Sequence, residues 1–552
     1  MFFLFYYLKS IVVNEDLWYN QKKSERERIM INLIPMAQSV KNPPGSYKLE
    51  KNAAVFTQIE LPLVKNQGGE DSPVKILKDD SLQKEEYRLK VDENGVEIKA
   101  SDRAGAYYAL QSLRMIGRLD EGKNDIPFVE IADKPQFQWR GIHLDESRHF
   151  FGTDHVKSLL DDMFRLKLNV FHWHLTDDQG WRVEIKKYPL LTEIGSKRRF
   201  THIGGWGCAK TDDTPYGPYF YTQEQIKEIV DYAAERCINI VPEIDVPAHF
   251  AAALAAYPHL ACRNLKREVF GCMGDILFKK EGVKDWNRPL CLGKQESVQF
   301  IFDVYDEICS LFPFSYFHVG GDECDVSEWK TCPDCQKAMK ELGFKNEREL
   351  QKKLTNELCE YLKKKGKHMI AWNDVLNQGI DRLDGSMVIQ QWLPGQDKNT
   401  KNFAASGGKI IMSNHKSFYF NLPYAQYPLA NTYKFKPEKY GITDYGSVLG
   451  IEGETWTEWI DSFSKVQLHQ HPRMEALAEV AWTPVAKRDY SQFLKRYKAY
   501  QSVFKPLGIN FAADQIAMPK NPLKRGSVCR KFHSGDPDYE FNENNRLKEN
   551  RK

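Results

Sequence analysis

Apolar and polar side chains alternate over residues 87–100, turn, and alternate back. Tyr87-Arg-Leu-Lys-Val91 has the two-residue period of a half-buried strand, Asn94-Gly95 supplies a tight turn, and Val96-Glu-Ile-Lys-Ala100 returns. The period then lengthens. Ala106, Ala109, Leu110 and Leu113 share one helical face behind Ser101 or Asp102 as N-cap. Strands plus a helix predict a small α+β domain over residues 30–135. From Trp139 the pattern changes to short apolar runs: Gly141–Leu144, Asn169–His174, Asn239–Glu243, Tyr316–Val319, His368–Ala371, Met387–Gln391, Lys409–Ser413 and Val448–Glu452. Amphipathic stretches such as Asp154–Lys167, Gln223–Arg236, Gln295–Leu311 and Glu347–Lys365 separate them. Eight strand–helix units predict a (β/α)8 TIM barrel over residues 136–511. A doubly wound open sheet is the alternative, but it does not require eight. Thr483 to Phe511 reads as a closing helix with Phe493, Tyr497 and Val503 on its apolar side, and the polar residues 512–552 as a disordered tail.

Composition narrows the class. The 552 residues are 42% hydrophobic and 28% charged, which excludes a largely disordered, collagenous or coiled-coil chain. Lys plus Arg is 78 against 75 for Asp plus Glu, a net +3 without the basic excess of a nucleic-acid partner. No apolar run reaches the roughly 18 residues of a membrane helix. Met1 to Leu8 is apolar, but Lys9 interrupts it and the charges follow the apolar stretch instead of preceding it. Residues 1–29 therefore read as an irregular leader rather than a signal peptide. Periplasmic, secreted and lysosome-like compartments stay open, as does the oligomeric state. The 11 cysteines are odd in number and sparse, which is not a disulfide scaffold. Cys262 and Cys291 flank one long loop and form a candidate bridge. Cys332-Pro-Asp-Cys335 resembles half a zinc knuckle without a second CxxC, and reads as a turn or a local thiol pair.

The chemistry gathers just after each apolar run. Asp145 and Arg148 follow the first, His174 and Asp177-Asp178 the second, and Glu243, Asp245 and His249 the third. Asp322-Glu323 follow the fourth, Trp372 and Asp374 the fifth, Trp392 the sixth, Asn414 the seventh, and Glu454, Trp456 and Glu458 the eighth. In a barrel these strand ends converge on one rim, where active sites form. Gly320-Gly321 before Asp322-Glu323 allow a close backbone turn beside a ligand. Two carboxyls at one site push their pKa values apart, one kept protonated and one ionised. Trp372, Trp392 and Trp456 on one rim make an apolar box, and Arg148, Asp177 and Glu458 fringe it with partners for hydroxyls. That combination fits a pyranose. His172-x-His174 allows a rival, a metal-dependent barrel hydrolase with His249 and Asp177 as further ligands, although both imidazoles are also ordinary packed barrel residues.

Several motifs match a known family in order: Arg140-Gly-Ile-His-Leu-Asp-Glu-Ser-Arg148, His172-Trp-His-Leu-Thr-Asp177-Asp, Pro242-Glu-Ile-Asp-Val-Pro-Ala-His249, His318-Val-Gly-Gly-Asp322-Glu323 and Trp456-Thr-Glu458. The chain resembles the β-N-acetylhexosaminidases of glycoside hydrolase family 20 from about Met30 to Phe511. The resemblance implies a small α+β domain before a barrel, and exo-acting removal of terminal GlcNAc or GalNAc from a glycan or amino-sugar oligosaccharide. It implies retention without an enzyme nucleophile, since the substrate's acetamido oxygen attacks its own anomeric carbon to give an oxazolinium. By that likeness Glu323 is the acid and then the base, Asp322 orients the acetamido N–H and stabilises the cation, and Tyr419 bonds the acetamido carbonyl. Arg148 holds the C3 and C4 hydroxyls, Glu458 those at C4 and C6, and Asp177 with His249 forms a relay to Glu323. Trp372, Trp392 and Trp456 form the walls, and neither metal nor organic cofactor is required. The family commonly has Tyr-x-Asp where this chain has Tyr419-Phe-Asn421, so Asn421 bonds a hydroxyl without charge and selectivity at C4 and C6 stays open. The loops Thr201–Tyr221 and Asn264–Trp286 are candidates to extend the aglycone side. A catalytically idle glycan-binding protein is the further alternative. It predicts the loss of one acidic role, yet Asp322, Glu323 and Tyr419 are all present.

Overall fold

The computed structural model describes residues 31–203, 210–264, 268–271, 289–378, 383–393, 395, 397–534, 536 and 539. The expected leader lies outside these residues, as do parts of both candidate aglycone loops. Among the described residues no helix is long and apolar enough to cross a membrane.

The alternating segment folds as its period demands. Tyr87–Asp92 and Gly95–Ala100 pair as an antiparallel hairpin, with Tyr87, Leu89 and Val91 buried and Arg88 and Lys90 outside. They form the centre of a six-stranded sheet with Ser39–Lys41, Val129–Asp133, Val74–Lys78 and Val55–Thr57. The helix Arg103–Gly117 packs on it, its N-terminus capped by the Asp102 carboxylate, which accepts the Gly105 N–H.

The eight apolar runs form a closed parallel barrel of β1 (Trp139–Asp145), β2 (Val170–Asp177), β3 (Asn239–Ile244), β4 (Tyr316–His318), β5 (His368–Trp372), β6 (Val388–Gln391), β7 (Lys409–Met412) and β8 (Val448–Gly453). Closure comes where β8 pairs with β1, from Gly450 opposite Trp139 to Gly453 opposite Ile142. Every residue of β1 and β2 is buried, which is why these strands read as continuous apolar runs. The helix Gln223–Glu235 starts with a reciprocal cap between Thr222 and Gln225 and buries Ile226, Ile229, Val230 and Ala233 along one stripe. Trp139, Val170, Val241, Ile370, Val388 and Ile411 plug the barrel interior with an apolar layer.

The two domains share buried ion pairs. Arg140 of β1 donates to Glu85 at 2.8 Å and to the Tyr108 hydroxyl at 2.8 Å. Lys167 bonds Tyr87 and Ser112, and Trp482 donates to Asp133. Replacing Arg140 by Ala leaves the Glu85 charge buried without its cation. The expected cost is about 3–5 kcal/mol, read from the denaturation midpoint, and a shift near zero would deny the pair a structural role.

The disordered tail expected over residues 512–552 needs correction as far as residue 534, and most of the remainder lies outside the described residues. Asp514–Ala517 and Pro522–His533 are helices, Ala512 and Ala517 are buried, and Phe532 packs edge-on against Trp459 at 5.2 Å. Apolar side chains spaced singly among polar ones carry no periodic signal, so only the neighbouring surface reveals what they bury.

Candidate active site

After β4 the chain turns sharply. Gly320 (φ +66°), Gly321 (φ +92°) and Glu323 (φ +45°) all adopt left-handed backbone. A side chain at position 320 would meet the Asp245 carboxylate, its Cβ only 1.8 Å from Oδ1, and that same oxygen accepts the Gly321 N–H at 3.0 Å. For Glu323 the conformation is strained, a feature that clusters at functional sites. The turn overcomes the divergence of neighbouring side chains on an extended strand. Asp322 is buried while the Glu323 side chain keeps 49% of its surface exposed.

His249, itself at φ +51°, joins the two acids. Its Nε2 lies 3.7 Å from Asp322 Oδ2 and 3.7 Å from Glu323 Oε2, and its Nδ1 lies 3.2 Å from Asp177 Oδ1. Burial alone would favour neutral imidazole, but Asp177 and Asp178 outweigh it and hold His249 well above its ordinary pKa. Asp177 moves the other way. Despite burial, Arg148 and His249 keep its carboxylate ionised far below the usual range. Its Oδ2 takes Arg148 Nη2 at 2.8 Å and His174 Nε2 at 2.9 Å. Both oxygens of Asp177 are thus engaged by Arg148, His174 and His249.

Burial, with Asp245 beside it, pushes the Asp322 carboxyl well above its ordinary value. Its Oδ1 is buried with no hydrogen-bond partner among the described residues. Asn421 Oδ1 and Glu458 Oε2 are buried and unpartnered in the same way. Such groups are costly in a finished interior and are expected where a polar ligand completes the bonding. Burial raises Glu458 to about 7 against the pull of Arg148.

Aromatic rings line the same rim. Tyr419 stacks on Trp392 at 5.8 Å and lies 6.5 Å from Trp456, and Trp372 lies 5.9 Å from Trp456. The Arg148 guanidinium sits over Trp456 at 5.1 Å. Trp372 donates its N–H to Glu243 and Trp392 donates to Asp374, which fixes both rings. Burial pushes the Tyr419 phenol up, so it stays a protonated donor.

Beneath the rim lies a buried charge network. His172 bonds Glu452 at 2.7 Å and lies 3.1 Å from Glu243, and His174 bonds Glu243 at 2.6 Å. Burial opposes protonation, yet these carboxylates hold His172 up to about 10 and His174 up to about 9. Both nitrogens of each ring face a carboxylate oxygen, so each imidazole is ion-paired within the barrel. The expected Cys262–Cys291 bridge is corrected, since both are free thiols.

Residues 137–485 match the family described as "Glycosyl hydrolase family 20, catalytic domain", and residues 53–134 match its "domain 2". The chain belongs to glycosyl hydrolase family 20. Within it, the chain is 36% identical over 463 residues to a Porphyromonas gingivalis "Beta-hexosaminidase", covering 80% of this chain and 56% of that protein. It is 30% identical over 435 residues to an Akkermansia muciniphila "Beta-hexosaminidase", covering 75% of this chain and 83% of that protein. The chain thus spans little more than half the length of the first of these. Among solved structures, a family-20 exo β-N-acetylglucosaminidase from Vibrio harveyi in complex with N-acetylglucosamine superposes with TM-score 0.77 at 28% identity, covering 90% of this chain and 81% of that one. A β-N-acetylhexosaminidase from Bacteroides fragilis superposes with TM-score 0.75 at 30% identity, covering 88% and 99%.

For this family-20 chain, three side chains matter that sequence reasoning noted at strand ends but gave no role. Asp245 supports the Gly320-Gly321 turn, Asp374 fixes Trp392 and accepts the Glu323 N–H at 3.5 Å, and Glu243 anchors Trp372 and the histidines. Their position after the third and fifth apolar runs was the available signal. What each one touches is long-range.

Proposed function

We propose that this chain is an exo-acting, retaining β-N-acetylhexosaminidase that works by substrate assistance on terminal GlcNAc or GalNAc. The observation that carries the reading is a buried Asp322 oxygen, without a partner among the described residues, beside a half-exposed Glu323, inside a rim of indoles and a phenol. Asp322 accepts the acetamido N–H and the Tyr419 hydroxyl donates to the acetamido carbonyl, which aims that oxygen at the anomeric carbon. The N–H and the developing cation favour the ionised form of Asp322, opposing the burial that raises its pKa. Glu323, reaching solvent, protonates the leaving oxygen and then takes a proton from the incoming water. The His249 cation orients both acids, with Asp177 behind it as a positioning residue. Arg148, Asn421 and Glu458 serve the ring hydroxyls, while Trp372, Trp392 and Trp456 enclose the sugar.

The test is hydrolysis of an aryl β-N-acetylglucosaminide beside the matching aryl β-glucoside, with and without chelator. Cleavage of the acetamido sugar alone, indifferent to chelator, is the expected result. Cleavage of both would mean that the acetamido group is not the nucleophile. Cleavage of neither by folded protein would favour the binding-protein reading.

Glu458 gives a pH prediction. Raised to about 7, it is largely protonated below that pH and ionised above it. The ionised form is the stronger acceptor for hydroxyls. Inhibition by free GlcNAc is expected to tighten several-fold as pH rises through about 7. Glu458→Gln should flatten that limb, and an unchanged profile would remove Glu458 from the site.

A further inference from the structure

In the loops that follow β3 and β4, the sulfurs of Cys262, Cys291, Cys332 and Cys335 converge. Cys262 Sγ lies 3.8 Å from Cys335 Sγ, and Cys291 Sγ lies 3.7 Å from Cys332 Sγ and 3.6 Å from Cys335 Sγ. All four ligand atoms fall within 4.8 Å of one another. Four sulfurs held at about 2.3 Å by one tetrahedral zinc stand about 3.8 Å apart. Cys291, Cys332 and Cys335 are buried, and Cys262 is partly so.

The backbone is built around the same point. Ala261 pairs with Leu290 in an antiparallel bridge, and the Cys291 N–H donates to Leu260 O at 3.0 Å. The Trp329 indole N–H donates to Leu290 O at 3.0 Å. Gly293 lets that strand approach the Cys332–Cys335 turn, since a Cβ there would fall 2.3 Å from the Cys335 amide nitrogen. Cys332 caps the helix Pro333–Leu342, so both of its motif's sulfurs sit at a helix N-terminus, whose positive end favours thiolate. The missing second half of the zinc knuckle is thus supplied by two cysteines distant in sequence from the first pair.

We propose that Cys262, Cys291, Cys332 and Cys335 bind one zinc ion as a closed structural tetrathiolate. Four Sγ–H groups release their protons to solvent as four zinc–sulfur bonds form, and no coordination position is left for catalysis. The ion ties the chain after β3, which carries His249, to the chain after β4, which carries Asp322 and Glu323. It is therefore a staple between the two loops and not a participant in the chemistry of the candidate acids. Its test does not depend on glycosidase activity.

The full chain, expressed with added zinc and purified reduced without chelator, is analysed by elemental mass spectrometry. About one zinc per chain is expected, released when an organomercurial titrates the thiols and lost in Cys332→Ser and Cys335→Ser. If those variants fail to fold, cobalt substitution of the parent chain gives the reading, since tetrathiolate cobalt(II) has intense sulfur-to-metal charge-transfer bands. The proposal is overturned if the reduced protein holds no zinc and takes none up against a chromophoric chelator. Zinc that survives thiol modification, iron in place of zinc, or disulfides among these cysteines by non-reducing mass analysis would each overturn it as well.

Discussion

Glu323→Gln is expected to lower kcat/KM by roughly 10²–10⁴-fold on glycosides with poor leaving groups, and much less on activated aryl glycosides. The asymmetry follows from the assigned chemistry. A sugar alkoxide needs a proton as it departs, whereas a nitrophenolate departs nearly unaided, so removing the acid costs little there. Glu323 suits the proposed task because its side chain is half exposed, while His249 and the left-handed turn fix its direction. Parallel kinetics on a chitobiose-type substrate and an aryl substrate check it. Equal losses on both would take the acid role away from Glu323.

Asp322→Asn is expected to fail on both substrate classes, by roughly 10²–10³-fold. Under the proposed mechanism the carboxylate's charge and its acceptance of the acetamido N–H serve the nucleophile, and the nucleophile is the same whatever leaves. Stability should move in the opposite direction. Burial and Asp245 raise the Asp322 pKa in the folded protein, so ionising it there costs folding free energy once the pH exceeds its ordinary range. Asparagine is nearly isosteric and removes that cost, so the variant should be at least as heat-stable as the parent at neutral pH. Loss of activity with unchanged or raised Tm would identify a charge kept for function. Retained activity on aryl substrates would remove Asp322 from the role, and a lowered Tm would show the carboxylate to be structural.

The barrel was legible because its strands are buried on both faces and its helices on one, so each element carries its own period. The eight apolar runs of the sequence match β1 to β8 to within a few residues, and Asn94-Gly95 marks the hairpin turn. The polar residues trailing each run were equally legible, since strand ends in such a barrel face one rim. Which of those residues keep an oxygen for a ligand and which spend it on neighbours was not. Asp177 carries the same sequence signal as Asp322, yet its oxygens are consumed by Arg148, His174 and His249 while one Asp322 oxygen has no partner among the described residues. His172 and His174 have metal-like spacing, and only the opposing Glu243 and Glu452 show them to be ion-paired.

The sequence by itself determined the order and type of elements and the residue types available at the rim, because hydrophobic period and strand-end position are local properties. The tertiary structure decided partnership. The left-handed turn over Gly320–Glu323 is read from backbone angles and from the Asp245 carboxylate packed against it, 75 or more residues earlier in the chain. The four-cysteine cluster needs Cys262 and Cys291 brought to Cys332-Pro-Asp-Cys335 by two neighbouring barrel loops. Proximity between distant segments is set by strand order in the closed sheet, and no local pattern of side chains encodes it.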